Sequence, residues 1–300
     1  MEHIAARGLT KDYGAGRGVF DLNFQVKKGE AFGFLGPNGA GKTTTIRQLM
    51  GFIRPDSGTC TLLGKPCFTQ ASDIHRQVGY IPGELSLMDD MSAGAFFRFM
   101  ARLRGMDDTG RAEELCSRFQ LDPSAKIRRM SKGTKQKVGI VSAFLHDPAL
   151  YILDEPTSGL DPLMQNRFIE LLEEEHNRGK TVLLSSHLFE EVERTCSRVA
   201  IIRNGRLAAV DTAEALKATR AKTYRLTFLS EKDAQGFLMD FSSHSAEEAQ
   251  QDNTSVILHI RRDLNTMLQA VGGRTLQSLD MKEQTLEEVF LHYYGGEKDA

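Results

Sequence analysis

The stretch Gly36–Thr43, GPNGAGKT, sets three glycines, a lysine and a hydroxyl at the spacing G-x-x-x-x-G-K-T. Gly36, Gly39 and Gly41 let the backbone curl without Cβ clashes, so consecutive N–H groups can converge on one anion. A helix starting near Lys42 would add its unpaired amides and positive end to the same point. Lys42 offers a mobile ammonium to outer phosphates, and Thr43 offers a hydroxyl to a magnesium ion that bridges them. A turn that merely joined strand to helix would not need a lysine directly before Thr43 and Thr44. The chemistry indicated is phosphate binding.

Three further residues could act on a bound phosphate. Asp154 and Glu155 follow the apolar run YIL. At the end of a buried strand Asp154 can hold magnesium or its waters opposite Thr43, while Glu155 is the better group to position or deprotonate a water. His187 ends another apolar run and could reach a terminal phosphate through one ring nitrogen; the bland alternative is a structural histidine. Tyr13 could stack on a base, or be an ordinary core or surface tyrosine.

These residues need a scaffold. Val19–Val26 alternates, so Phe20, Leu22, Phe24 and Val26 are expected on a core and Asp21, Asn23 and Gln25 in water. Short strands are predicted at 31–35, 59–63, 78–81, 149–153 and 181–184, the last two buried, with a crossover helix over 162–178. Strands followed by helices in this order predict a mostly parallel sheet. Its carboxyl edge would gather the phosphate loop, Asp154, Glu155 and His187. Residues 92–146 lose strand character and predict a helical insert: Phe96, Phe97, Met100 and Leu103 on one helix face, Leu115 and Phe119 on a second. A third helix starts at Ser131, which is suited to cap it, and carries Val138, Ile140, Val141 and Phe144. A hairpin turns at Asn204–Gly205 between strands 198–203 and 207–210. Beyond about residue 220 the pattern restarts, with strands at 223–229, 255–260 and 275–279, helices at 264–271 and 286–293, and a polar surface loop over 242–254. The fold class is therefore α/β: a P-loop core of mostly parallel sheet with an antiparallel β edge subdomain and a helical insert, over residues 1–218, and a small α+β domain over 219–300.

At 300 residues two domains are expected. A net charge of -2 with 26% charged residues describes an ordinary surface, with no polyanion-binding bias. Cys60, Cys67, Cys116 and Cys196 form no C-x-x-C pair and read as reduced thiols. The first residues lack the basic-then-apolar pattern of a secretory leader, and no stretch nears the roughly 20 apolar residues of a membrane helix. The expectation is a cytoplasmic chain whose membrane part, if it needs one, is supplied by another protein.

Taken together, the motifs resemble those of ABC transporter ATP-binding subunits over residues 1 to 215. GPNGAGKT is similar to the family's first nucleotide motif and YILDEP to its second. MSKGTKQK at 130–137 resembles its signature, SGLD at 158–161 the loop after it, and His187 its switch histidine. The resemblance implies ATP and Mg2+ as ligands, with ATP bound by Tyr13, Gly36, Pro37, Asn38, Gly39, Ala40, Gly41, Lys42, Thr43 and Thr44. It further implies metal contacts from Thr43 and Asp154, and catalysis by Glu155, His187 and Lys42. A second copy, head to tail, would close Ser131, Lys132, Gly133 and Asp161 over the nucleotide. Residues 285–295, TLEEVFLHYYG, resemble the ending of bacterial ABC-2 type exporter ATPases, which implies separate membrane permease subunits, a peripheral place on the inner membrane face, and no nucleic-acid partner. Two residues depart from the family. Gly83 stands where a glutamine reaches magnesium and the membrane subunit, and Lys132 and Thr134 replace a glycine and a glutamine of the signature. The alternatives are a soluble ABC ATPase acting on nucleic acid or ribosomes, and a regulatory ATP-binding protein of low turnover. The second domain is expected either to stabilise or regulate an ATPase dimer, or to be a passive appendage.

Overall fold

The computed structural model describes residues 1–218, 222–245, 249–260 and 264–283. The chain divides between Ala213 and Glu214 into two units. The first contains β1 (Glu2–Asp12), β2 (Gly18–Lys27), β3 (Ala31–Leu35), α1 (Lys42–Leu49), β4 (Ser57–Leu62), β5 (Lys65–Pro66), α2 (Ala71–His75) and β6 (Val78–Ile81). It continues with α3 (Ala93–Leu103), α4 (Gly110–Arg118), a 3-10 turn at Ile127–Arg129, α5 (Lys132–Phe144), β7 (Leu150–Asp154), α6 (Pro162–Asn177), β8 (Thr181–Ser186), α7 (Phe189–Thr195), β9 (Arg198–Arg203) and β10 (Arg206–Thr212). α8 (Ala213–Ala218) spans the division.

Every residue of β3, β7 and β8 is buried. Strands covered on both faces read as continuous apolar runs, which is why AFGFL, LYIL and TVLL occupy the middle of a sheet. That sheet has six strands in the order β10-β9-β3-β8-β7-β6; β9, β3, β8, β7 and β6 run parallel and β10 returns antiparallel. Register pairs Leu35 with Ser186 and Asp154 with Ser185. Three chemically equipped loops thereby leave one edge at one level.

A second sheet, in the order β2-β1-β4-β5, is antiparallel. In β2 the structure corrects the expected face. Leu22, Phe24 and Val26 are buried as predicted, but the buried residue before them is Val19, whereas Phe20 is half-buried. Asp21 adopts φ +54°, and β1–β2 pairing shifts register on both sides of Leu9. This irregularity breaks the two-residue alternation and turns Phe20 toward the Arg206 guanidinium, 5.4 Å from its ring centre.

The insert over 92–146 is helical as expected. α5 buries Val138, Ile140, Val141 and Phe144, and Ser131 caps it by accepting a hydrogen bond from the Thr134 amide at 3.2 Å. In α3 the buried face is Ala93, Phe96, Phe97 and Ala101, while Leu103 is 65% exposed. Leu103 is the last residue of α3.

The second unit runs β11 (Lys222–Phe228), α9 (Glu231–His244), β12 (Ala249–Asp252), β13 (Ser255–Ile260), α10 (Leu264–Val271) and β14 (Leu276–Glu283). Its antiparallel sheet has the order β12-β13-β11-β14, a βαββαβ arrangement. Tyr224, Leu226 and Phe228 alternate inward from β11 and meet Phe237 and Phe241 of α9, with Val256 and Leu258 from β13. The loop expected over 242–254 is corrected: it holds the end of α9 and the polar edge strand β12. The predicted helix at 286–293 lies outside the described residues. Among the described residues no helix is long and apolar enough to cross a membrane, and all four cysteines are unpaired.

Candidate nucleotide-binding and hydrolysis site

The phosphate loop leaves β3 at Gly36. A Cβ there would stand 2.4 Å from the Ile202 carbonyl, and one at Gly41, where φ is +112°, would stand 2.7 Å from Val19 Cγ1. Only glycine fits either position. Gly41 also precedes α1, so this helix start has no capping side chain, and its first turn carries no acid. Its amides and positive end are left for an external anion.

Lys42 is 5% exposed. Its Nζ donates to the Gly36 carbonyl at 2.6 Å and the Pro37 carbonyl at 3.2 Å, arching over the loop, and stands 3.1 Å from Glu155 Oε1. Buried ammonium groups require such partners.

Asp154 ends β7 with no exposed surface. Its Oδ1 accepts from Ser185 Oγ at 2.5 Å, while the equally buried Oδ2 has no hydrogen-bond partner. A Cβ at Gly83, just past β6, would lie 3.0 Å from that Oδ2 and 3.7 Å from Thr43 Oγ1. Thr43 and Asp154 therefore converge where glycine keeps the space open. A hard cation that takes oxygen ligands fits this donor set. Among the described residues no group of three His, Cys, Asp or Glu side chains could hold a metal, so such an ion would share its coordination with phosphate and water. Beside it, burial and then the Asp154 charge push the Tyr80 hydroxyl up to about 12.

Glu155 adopts φ +49°, a left-handed conformation that costs about 1–2 kcal/mol outside glycine. Its amide is held by Ser185, through the carbonyl at 3.1 Å and Oγ at 3.2 Å. From this turn its carboxylate reaches between two partners: Oε2 lies 2.6 Å from His187 Nδ1, and Oε1 faces Lys42. His187 follows β8 and is partly exposed.

A cavity of about 470 Å3 is lined by Tyr13, Asn38, Gly39, Ala40, Gly41, Lys42, Thr43, Thr44 and Glu155. Tyr13 is 47% exposed at this wall, which removes the reading of a core tyrosine. Arg17 and Asn204 also line it and were not anticipated. The hairpin turn was legible, but not that the Gly205 amide would donate to the Ala40 carbonyl at 2.9 Å and brace the phosphate loop. Local sequence carries no signal for a contact spanning that much chain.

Ser131, Lys132, Gly133 and Asp161 do not line this cavity. Ser131 and Lys132 are exposed at the start of α5. Lys132 Nζ donates to Ser158 Oγ at 3.3 Å, and a Cβ at Gly133 would stand 2.4 Å from the Gly159 carbonyl. Asp161 caps α6, accepting from the Met164 amide at 3.0 Å. The signature segment and the SGLD loop thus form a second cluster, apart from the lysine-bearing loop.

The pattern of the ABC transporter family matches residues 19–158. The bacitracin transport ATP-binding protein BcrA of Bacillus licheniformis is 35% identical over 302 residues, covering 98% of this chain and 97% of that one. The chain belongs to the ABC transporter ATP-binding subunits. The linearmycin resistance ATP-binding protein LnrL of Bacillus subtilis (strain 168) is 36% identical over 70% of this chain and 69% of its own. A solved structure of an ATP binding subunit of an ABC transporter matches with a TM-score of 0.65 and 34% identity, covering 71% of this chain and 91% of that one. This ABC subunit is an ATP-hydrolysing enzyme, and the open oxygen donors of Thr43 and Asp154 suit the Mg2+ that accompanies ATP in the family.

Proposed function

We propose that this ATPase powers export of a small molecule, an antibiotic or a lipid-like compound, through separately encoded ABC-2 type membrane subunits, on the inner face of the cell membrane. The near full-length similarity to a bacitracin transport protein supports the substrate class. The observation that carries the catalytic reading is the Glu155 carboxylate, set between Lys42 and His187 on the wall of the phosphate-loop cavity.

ATP binds with its phosphates on the amides of Asn38, Gly39 and Gly41 to Thr44, residues that line the cavity, and its base on Tyr13. Lys42 exchanges its two loop carbonyls for phosphate oxygens. Thr43 and Asp154 would hold Mg2+, which would supply neutralisation of phosphate charge. Glu155 takes a proton from a water whose oxygen attacks the terminal phosphorus, and the bond from that phosphorus to the ADP oxygen breaks. General-base assistance of this kind is worth roughly 10²–10⁴-fold. His187 holds Glu155 through Nδ1 and turns its other ring nitrogen to the terminal phosphate. Two copies meet head to tail, so that Ser131, Lys132, Gly133 and Asp161 of one close on ATP held by the other. ATP can drive that closure only by binding the closed pair more tightly than the separated chains.

The test is reconstitution in lipid vesicles with the membrane protein encoded beside this subunit. ATPase activity is expected to rise severalfold with that protein and to ignore RNA and DNA. Stimulation by nucleic acid and none by the membrane protein would contradict the export role.

A further inference from the structure

Glu191 is a buried carboxylate that the reaction above leaves without a task. It lies on α7 and is 6% exposed. Among the described residues no lysine, arginine or histidine pairs with it; both of its oxygens instead accept from neutral hydroxyls. Thr157 Oγ1 donates to Oε1, and Ser186 Oγ donates to Oε2 at 2.8 Å. Thr157 is 4% exposed and Ser186 is wholly buried. Keeping a charge out of water with only two hydroxyls around it is unfavourable unless the arrangement is needed.

The two hydroxyls identify the need. Thr157 sits two residues after Glu155, and Ser186 immediately precedes His187. One carboxylate thus ties the two backbone stems whose side chains meet at 2.6 Å. The same ties continue outward. Ser186 Oγ also accepts from the Leu188 amide at 2.9 Å, fixing the chain on the far side of His187. Gln136 of α5, 5% exposed, donates to the Pro156 carbonyl at 2.7 Å. Glu155 in its left-handed conformation is therefore flanked by three fixed points: the Ser185 contacts to its amide, the Pro156 carbonyl and the Thr157 hydroxyl.

The geometry points to Glu191 as a positioning residue for hydrolysis: by accepting from Thr157 and Ser186 it sets the separation of Glu155 and His187. It does not line the phosphate-loop cavity, and its role deepens the assignment of Glu155 made above. A carboxylate suits the task because it accepts at both ends, whereas an amide of the same shape accepts at only one.

The test uses the full-length chain with Glu191→Gln, Thr157→Val, Thr157→Ser and Glu191→Gln/Thr157→Val, and Glu155→Gln as reference. Displacing a reacting group by about 1 Å costs roughly a hundredfold. We expect Glu191→Gln and Thr157→Val to lower kcat by tenfold or more, with KM and the Kd for a fluorescent ATP analogue within twofold of the parent. Thr157→Ser, which restores the hydroxyl, is expected to recover most of kcat, and the double variant to be no worse than the poorer single one. A kcat within twofold of the parent in both single variants would overturn the assignment, as would a loss of turnover that follows only a lower melting temperature. Full turnover by Glu155→Gln would instead overturn the reading of Glu155 on which it rests.

Discussion

The two units bury different things. Residues 1–213 enclose Lys42, Gln48, Gln136, Asp154, Thr157, Glu175, Ser185, Ser186 and Glu191. In the second unit the buried core is Leu226, Phe228, Phe237, Phe241, Val256 and Leu258 with their apolar neighbours, and among its described residues no polar or charged side chain is fully buried. Burial of polar groups costs free energy unless each is paired, so it marks where a fold is held to a chemical requirement beyond packing. Nor is all polar burial in the first unit alike. Glu175 is fully satisfied by Arg111 at 2.8 Å, Arg178 at 2.8 Å and the Tyr151 hydroxyl at 3.2 Å, and it holds the Tyr151 hydroxyl, already raised by burial, further above its usual range. Asp154, by contrast, keeps one oxygen without a partner.

That contrast can be broken most strongly in the second unit. Phe237 is wholly buried, tilted against Phe228 at 5.3 Å and stacked on Phe241 at 5.9 Å. Phe237→Ala is expected to destabilise this unit by about 3–5 kcal/mol, seen by calorimetry, while Kd for ATP stays within twofold. Parallel loss of ATP binding would refute a purely packed second unit. In the first unit the expected effect has the opposite character. Asp154→Asn removes an unpaired buried charge, so its melting temperature is held or raised, whereas ATP turnover falls by about 10²–10³, the scale of a lost electrostatic contact. A fall in melting temperature with turnover intact would make Asp154 structural.

The smallest effect concerns pH. His146 follows α5, and both its ring nitrogens lack hydrogen-bond partners. Burial, then the Arg104 guanidinium, pushes it down to about 4. The unfolded chain takes up this proton near pH 6.5, so the stabilisation is complete above that value and is lost as pH falls toward 4. Between pH 7 and pH 5 the loss is about 2 kcal/mol. His146→Asn should shrink the difference in melting temperature between those two pH values by several degrees; an unchanged difference would refute the assignment.

Much of this was legible because the decisive patterns are local. The phosphate loop, the three fully buried strands and the Ser131 cap each sit within a few consecutive residues. The face of β2 was misjudged at Phe20 because a left-handed Asp21 breaks an alternation that composition cannot reveal. α9 was missed although Ala234, Phe237, Leu238 and Phe241 of EKDAQGFLMDFSSH stand at the helical spacing i, i+3, i+4, i+7, and β12, AQQD, is a polar edge strand. Gly83 was legible as an unusual residue but not as the gap between Asp154 and Thr43. The ties of Glu191 to Thr157 and of Gln136 to Pro156 join residues far apart in sequence, where no motif reaches.

Light scattering of Glu155→Gln with and without Mg-ATP tests the central claim most directly. The account predicts a protein that is monomeric alone, binds ATP with parental affinity, hydrolyses almost none of it, and becomes a dimer that Ser131→Arg abolishes. ATP-saturated Glu155→Gln that remains monomeric, or that turns over at the parental rate, would contradict it.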